Sequence, residues 1–118
     1  MNKQDILNMK PGREFNLLIS QKVLGITPDE RKDDNILRDF SSDPSIIMTI
    51  INKLAERNFK YTITNINKYE HSCIFDSMKS HKRYIAHADN LIEAVCKAAL
   101  LAVFGEEEYE KKIRAQEQ

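Results

Sequence analysis

Histidine and cysteine side chains are the first candidates for chemistry in this sequence. His71 and Cys73 are two residues apart, so on a β-strand both side chains would project from one face. His81 or His87 could then complete a metal site with them. The spacing matches no standard zinc pattern, because the sequence has no CxxC or HxxxH pair. We therefore predict no metal site, with Cys73 in the core and His71 at its rim.

Hydrolysis by a nucleophilic serine would require a base held beside that serine. The serines at 41, 42 and 45 and the three histidines form neither a nucleophile elbow nor the spacing of a known triad. The three glycines form no GxGxxG or GxxxxGK loop for a phosphate group. The sequence thus predicts no catalytic residues and no cofactor, although a pocket assembled from separate segments would not be visible in it.

Binding of a small anion is the chemistry that the remaining polar residues favour. Lys82 and Arg83 end a short basic cluster and directly precede Tyr84. A fourth candidate, Arg13, begins a predicted helix. The basic side chains would pair with negative charge on a ligand, and the tyrosine ring would stack on it. The competing interpretation is that the cluster is a solvated turn and that Arg13 makes an ordinary ion pair.

The overall charge and hydropathy argue against two classes of partner. Eighteen basic and eighteen acidic residues give a formal net charge of zero, whereas proteins that bind nucleic acids without sequence preference need a basic excess. No apolar run approaches the roughly 18 residues of a membrane span, and the first residues lack the apolar centre of a secretory signal. We therefore expect a cytoplasmic protein that binds neither nucleic acids nor membranes.

Helices are predicted to occupy most of the first half of the chain. A short helix over residues 2–9 stops at Pro11 and Gly12. The next helix ends at Gly25, because apolar residues recur at helical spacing before it, at Phe15, Leu18, Ile19 and Val23. Residues 26–43 mix acids and bases that cannot fill a core, so they predict a long exposed loop.

A third helix is predicted over residues 44–57, and strands follow it. Asp43 and Pro44 suit the cap and the first position of this helix, and its core face holds Ile47, Ile50, Ile51 and Leu54. Apolar residues then alternate with polar ones in three runs, at Phe59, Tyr61 and Ile63, at Cys73 and Phe75, and at Tyr84, Ala86 and Ala88. With polar turns at 67–70 and 77–82, this pattern predicts an antiparallel meander.

The last predicted helix is the strongest signal in the sequence. The stretch EAVCKAALLAVF, residues 93–104, is apolar on nearly every face and should be buried. Asn90 and Glu93 approximate a capping box, Glu93 and Lys97 supply the solvated strip, and Gly105 is typical of a helix end. Residues 106–118 are charged and predict either a helical extension or a frayed tail.

Together these elements predict one α+β domain over residues 1–105, with the extension 106–118 after it. The fold class is an α/β/α sandwich in which helices flank an antiparallel sheet of at least three strands, in the order α-α-β-β-β-α. The two cysteines lie in apolar segments and are expected to be reduced core residues.

Two segments, MKPGREFNLLISQKVLG and EAVCKAALLAVF, joined by the helix entry FSSDPS, resemble the phage ABA sandwich domain family. The matching features are the opening at 9–14, the Lys22-Val23 pair, the aromatic-Ser-x-Asp step at 40–43 and the Ala-Ala-Leu-Leu-Ala ending at 98–102. The resemblance covers residues 3–104. It implies a small phage or prophage protein of unassigned activity, with helices around an antiparallel sheet and no catalytic residues to carry over.

The chain departs from that family in three respects. It lacks the tryptophans that family members often show in the middle helix and the strands, it has a charged insertion at 27–39, and its tail is longer.

Three functions follow from these observations as hypotheses. The first is a non-enzymatic phage accessory protein in the host cytoplasm, which counters host defence by sequestering a nucleotide-derived immune signal or a host protein. It would be a homo-oligomer with pockets between subunits. The second is a self-assembling interaction module, in which the acidic loop 29–39 meets the basic turn 79–83 of another copy. The third, a remote alternative, is a nucleotide-modifying enzyme that uses His71 or His87.

Overall fold

Four α-helices and three β-strands form the part of the chain that the structure describes. The structure, a computed structural model, describes residues 2–10, 12–25 and 44–117. The predicted exposed loop 26–43 and the predicted cap at Asp43 lie outside these residues.

The first two helices are short, and both were expected from the sequence. Helix α1 (Lys3–Asn8) begins with a capping box, in which the Asn2 side chain accepts a hydrogen bond from the Asp5 amide at 2.8 Å. Helix α2 (Arg13–Leu18) continues as a π-helical turn over Ile19–Val23. The helical segment then ends at Gly25, whose φ of +71° lies in the left-handed region that glycine adopts readily.

Helix α3 (Ser45–Glu56) is amphipathic and was also predicted. It buries Ile46, Ile50, Ile51 and Leu54. Ile47, which the sequence placed on the core face, is only partly buried, and Ile46 takes that role. The helix ends where Asn58 adopts a positive φ of 68°, a conformation that asparagine tolerates better than most residues.

The three strands form the expected antiparallel meander. Strands β1 (Phe59–Asn67), β2 (Glu70–Ser77) and β3 (Arg83–Ala88) are ordered β1-β2-β3 in the sheet. Cys73 lies opposite Ile63 on one side and Ala86 on the other. On this face the strands bury Phe59, Cys73, Phe75 and Ala86. The opposite face carries mostly exposed or partly buried side chains, with Ser72 as a buried exception.

Helix α4 (Leu91–Glu117) organises the core. It contacts β2 and β3, and it also packs against α1, α3 and the π-helical turn, while α3 contacts β1. The fold is therefore α+β, with helices followed by three antiparallel strands and a C-terminal helix, as the sequence predicted. The predicted role of Gly105 as a helix end is wrong, because α4 continues through it.

The predicted solvated strip on α4 is also wrong. Lys97 is only 8% exposed. Its ammonium lies 2.9 Å from the Glu93 carboxylate and donates a second hydrogen bond of 2.9 Å to the Leu7 carbonyl of α1. The Glu93 amide donates to the Asn90 side chain at 2.8 Å, as expected for a cap. The sequence suggested exposure because charged side chains are rarely buried unless they are paired.

Candidate ligand-binding cleft

A cleft of about 370 Å³ lies between α1, β3 and α4. Small-molecule sites commonly have volumes of roughly 300–1,000 Å³, so this cleft is large enough for a small ligand. Helix α1 supplies one wall, β3 with its preceding turn supplies the other, and α4 supplies residues from Leu101 to Glu108.

The α1 wall contributes Asn2, Lys3 and Ile6. The Asn2 capping box starts the helix at the edge of the cleft, and Ile6, only 1% exposed, anchors it in the core. The last turn of α1 is held by Lys97, whose ammonium donates to the Leu7 carbonyl. A six-residue helix has little stability of its own, so these tertiary contacts must fix this wall.

The β3 wall begins at the end of a tight turn. The Ser77 amide donates to the Lys82 carbonyl at 2.9 Å, and His81 adopts a positive φ of 60° within the turn. Arg83 donates from Nε to the Asp76 carboxylate directly across the sheet at 2.8 Å. This pair is exposed, so it contributes little stability and mainly orients the guanidinium. The other N–H groups of Arg83 belong to the same planar guanidinium, so the contact with Asp76 orients them as well.

Lys82 is held near α4 by an aromatic ring. Its ammonium lies 5.8 Å from the centroid of the Tyr109 ring, within the range of a cation–π contact. With Lys3 and Arg83 it gives the cleft three basic residues, against one acidic residue, Glu108. The cleft is therefore more basic than the chain as a whole, whose formal net charge is zero.

Tyr84 packs directly on the backbone of α4 at Gly105. A Cβ atom at that glycine would lie 2.6 Å from the Tyr84 hydroxyl oxygen and 2.7 Å from Cζ, much closer than real contacts allow. The Tyr84 ring also lies against Phe59 in an edge-on arrangement, with centroids 6.3 Å apart. The tyrosine is thus a fixed part of the cleft.

A carboxylate beside Tyr84 ties the β2–β3 turn to α4. Glu106 Oε1 accepts hydrogen bonds from the hydroxyls of Ser77 and Ser80. The Ser77 hydroxyl oxygen in turn accepts the amides of Lys79 and Ser80. Because these bonds join the turn to the helix, Glu106 sets the position at which Lys82 enters the cleft.

The Tyr84 hydroxyl is buried beside Ser80 and Glu106, and hydrogen bonding with both affects its pKa, although it makes no hydrogen bond of regular geometry within the described ranges. Glu106 Oε2 is buried and has no partner there. Burial raises the pKa of Tyr84 above its usual value, and the negative charge of Glu106 raises it further. The phenol is therefore neutral at physiological pH. It can offer a hydrogen but no negative charge that would repel an anion.

The structure brings together three of the four residues that the sequence proposed for ligand binding. Lys82, Arg83 and Tyr84 line the cleft, whereas Arg13, at the exposed start of α2, is not among its lining residues. Reasoning from the sequence missed Asn2 and Lys3, because only the packing of α1 on α4 brings them to β3. A signal was available in the capping pattern of Asn2 and Asp5, which fixes where α1 begins.

A second cleft has a different character. It lies beside the start of β1, has a volume of about 420 Å³ and is lined by four glutamates and two basic residues, Glu56, Glu106, Glu107, Glu110, Arg57 and Lys79. Its excess of acidic groups is unfavourable for an anion.

The histidines and cysteines do not assemble into a site in the part of the chain that the structure describes. No group of three or more His, Cys, Asp and Glu side chains there could hold a metal ion. Cys73 and Cys96 are buried free thiols, and burial raises the pKa of each to about 12. Both are therefore protonated and poorly nucleophilic at neutral pH.

Comparison with protein-family models, with curated proteins and with solved structures finds no match for this chain. The resemblance to the phage ABA sandwich domain family stays a prediction. Among the described helices, none has both the length and the apolar character needed to cross a membrane.

Proposed function

We propose that this protein acts by binding rather than by catalysis, and that its ligand is a small anion with an aromatic or apolar part. A nucleotide-derived signal fits this description, since it joins phosphate charge to a stacking base. The cleft between α1, β3 and α4 is the proposed site.

The observation that carries the proposal is the composition of the cleft. Three basic residues, Lys3, Lys82 and Arg83, line the cleft together with two aromatic residues, Tyr84 and Phe104. Basic groups beside aromatic rings favour a ligand that carries negative charge and a flat ring together. Apolar surface on Ile6, Ile85 and Leu101 would exclude water from such a ring.

The biological setting of the proposal rests on the sequence resemblance. In a phage or prophage protein of the host cytoplasm, sequestration of a nucleotide immune signal would counter host defence without any turnover. A host protein as the sequestered partner and a nucleotide-modifying enzyme are the alternatives, and the experiment below separates them.

The test is a thermal-shift screen of the purified protein against cyclic di- and trinucleotides and ADP-ribose derivatives. A ligand at a hundred times its dissociation constant should stabilise the protein by about 2.7 kcal/mol. Ligand recovered intact from the heated complex would support sequestration, and a modified product would reveal an enzyme. No shift with any compound would reject this ligand class and leave a host protein to be sought by pull-down.

The site itself is tested with two double variants of equal charge change. K82A/R83A removes two basic groups from the cleft, and we expect the Kd of any hit to rise by about 100-fold or more, because each charged hydrogen bond contributes about 1.5–3 kcal/mol. K53A/K111A removes two exposed basic groups that do not line the cleft and should leave the Kd unchanged. Equal Kd values for the first variant and the wild type would rule out this cleft.

A further inference from the structure

The outer edge of β1 is the least protected surface of the sheet. The sheet order β1-β2-β3 leaves β1 paired on one side only. Within residues 2–10, 12–25 and 44–117 no strand pairs with its other side. The outward N–H and C=O groups of such an edge can form a ladder with another extended chain.

The sequence of β1 does not discourage strand pairing. The strand spans nine residues, Phe59–Asn67, with the sequence FKYTITNIN. It contains one charged residue, Lys60, no proline, and several aromatic and β-branched residues, which favour sheets. Natural edge strands are commonly short, charged or interrupted by proline, because an unprotected edge invites association. The other edge strand, β3, is shorter, with six residues, and borders the basic cleft.

The side chains of β1 show that the helical cover ends before this edge. Tyr61 and Ile63 lie opposite Phe75 and Cys73 on the core face of the sheet. Both of those β2 partners are buried, yet Tyr61 is 50% exposed and Ile63 only partly buried. An apolar row on the core face therefore reaches solvent next to the unpaired backbone.

We infer that a second copy of this chain covers this edge, through antiparallel pairing of the two β1 strands into a six-stranded sheet. A two-fold axis perpendicular to the sheet keeps the core faces of both copies on the same side. The register of β1 is regular as far as Asn65 and shifts between Asn65 and Asn67. Pairing over the regular residues 61–65 is centred on Ile63. Thr62 of each copy then lies opposite Thr64 of the other, and Tyr61 opposite Asn65.

This register is self-complementary. Residues 61–65 carry no charged side chain, and Lys60, the one charged residue of β1, lies outside the paired stretch, so no like charges meet along the new ladder. The exposed Tyr61 and Ile63 of both copies form one continuous row on the core face. The cleft lies at the β3 edge, on the other side of β2, so the dimer does not depend on the proposed ligand and could form without it.

The test uses two variants at Thr62 and Thr64, which are exposed on the face away from the core. In the dimer, position 62 of each copy faces position 64 of the other. T62K/T64K therefore creates two pairs of like charge across the axis, and T62K/T64E creates two pairs of unlike charge at the same positions. Neither change touches the core, so both variants should show wild-type circular dichroism, and wild-type urea unfolding at concentrations low enough for all three proteins to be monomeric. Sedimentation velocity over a wide concentration range, at low salt, gives the dimer dissociation constant.

We expect wild-type protein to reach twice the 13.7 kDa mass of one chain. T62K/T64K should dissociate about tenfold more readily, since like charges directly opposite destabilise a strand pair. T62K/T64E should dimerise at least as tightly as the wild type. A monomeric wild type, an unaffected T62K/T64K variant, or a T62K/T64E variant as weak as T62K/T64K would each overturn this pairing.

Discussion

At the scale of single residues, Gly105 shows how a side chain on one element decides the residue on another. Within a helix, glycine is less favourable than alanine by about 1 kcal/mol, so an interior glycine suggests a packing requirement. Here the requirement is the Tyr84 ring, which fills the space where a Cβ would be. The glycine therefore serves the contact between β3 and α4, rather than the end of α4.

We predict that the effect of G105A on the free energy of unfolding changes sign when Tyr84 is replaced. In the wild-type background, G105A should lower the free energy of unfolding by about 1–3 kcal/mol, because the tyrosine ring must move out of a packed position. In a Y84A background the same substitution should raise that free energy by up to about 1 kcal/mol, because only the helix propensity remains. Urea titration of the four proteins measures both values. Equal stabilisation in the two backgrounds would show that the ring moves aside without cost.

At the scale of elements, α1 depends on Lys97 for its position. The lysine joins the last turn of α1 to α4, while its pairing with Glu93 keeps a partly buried charge compensated. The substitution K97M keeps the length of the side chain but removes its ammonium, so the Leu7 carbonyl and the Glu93 carboxylate lose this donor. We expect a loss of about 1–3 kcal/mol in the free energy of unfolding, the usual cost of an unpaired buried group.

Hydrogen exchange distinguishes this role from a general loss of packing. The amides of α1 should exchange faster in K97M, because the helix would detach before the rest of the fold opens. The matched control is K112M, because Lys112 is an exposed lysine on the same helix. The free energy of unfolding of K112M should stay within about 0.5 kcal/mol of the wild-type value. Unchanged α1 exchange in K97M would contradict the proposed attachment.

Periodicity was sufficient to predict the elements but not their tertiary partners. The alternation of Phe59, Tyr61 and Ile63 identified β1, but its register with β2 was not predicted. The π-helical turn at 19–23 was not predicted, and it buries the Ser20 hydroxyl, which has no hydrogen-bond partner in the described part of the chain. Hydrophobic patterns cannot reveal such a turn, because it differs from an α-helix only in its backbone hydrogen bonds.

The candidate site was predictable where it is local in sequence. Lys82, Arg83 and Tyr84 are consecutive, so one basic and aromatic cluster indicated them. Lys3 joins them only through the contact between α1 and α4, and no local pattern encodes that contact. Charge was misleading in the case of Lys97, because burial of a lysine depends on partners that lie far away in sequence.

At the scale of the whole molecule, α4 has two functions along its length. Its first half supplies the centre of the core, where six residues from Ala94 to Leu100 are fully buried, Ala94, Val95, Cys96, Ala98, Ala99 and Leu100. Beyond Gly105 the helix becomes charged, yet Glu106 still holds the β2–β3 turn and Tyr109 still lies under Lys82. The sequence-based boundary at residue 105 therefore cuts through contacts that shape the cleft.

Two truncations test where the folded unit ends. A chain of residues 1–111 keeps Glu106 and Tyr109 and should unfold within about 0.5 kcal/mol of the full chain, because the residues that it loses are mostly exposed. A chain of residues 1–105 loses both side chains, so the hydroxyls of Ser77 and Ser80 lose their acceptor. We expect it to be less stable by about 1–3 kcal/mol and to exchange the amides of the β2–β3 turn faster. If both truncations unfolded like the full chain, the helix beyond Gly105 would have no part in fixing the turn, and the position of Lys82 in the cleft would have to come from β3 alone.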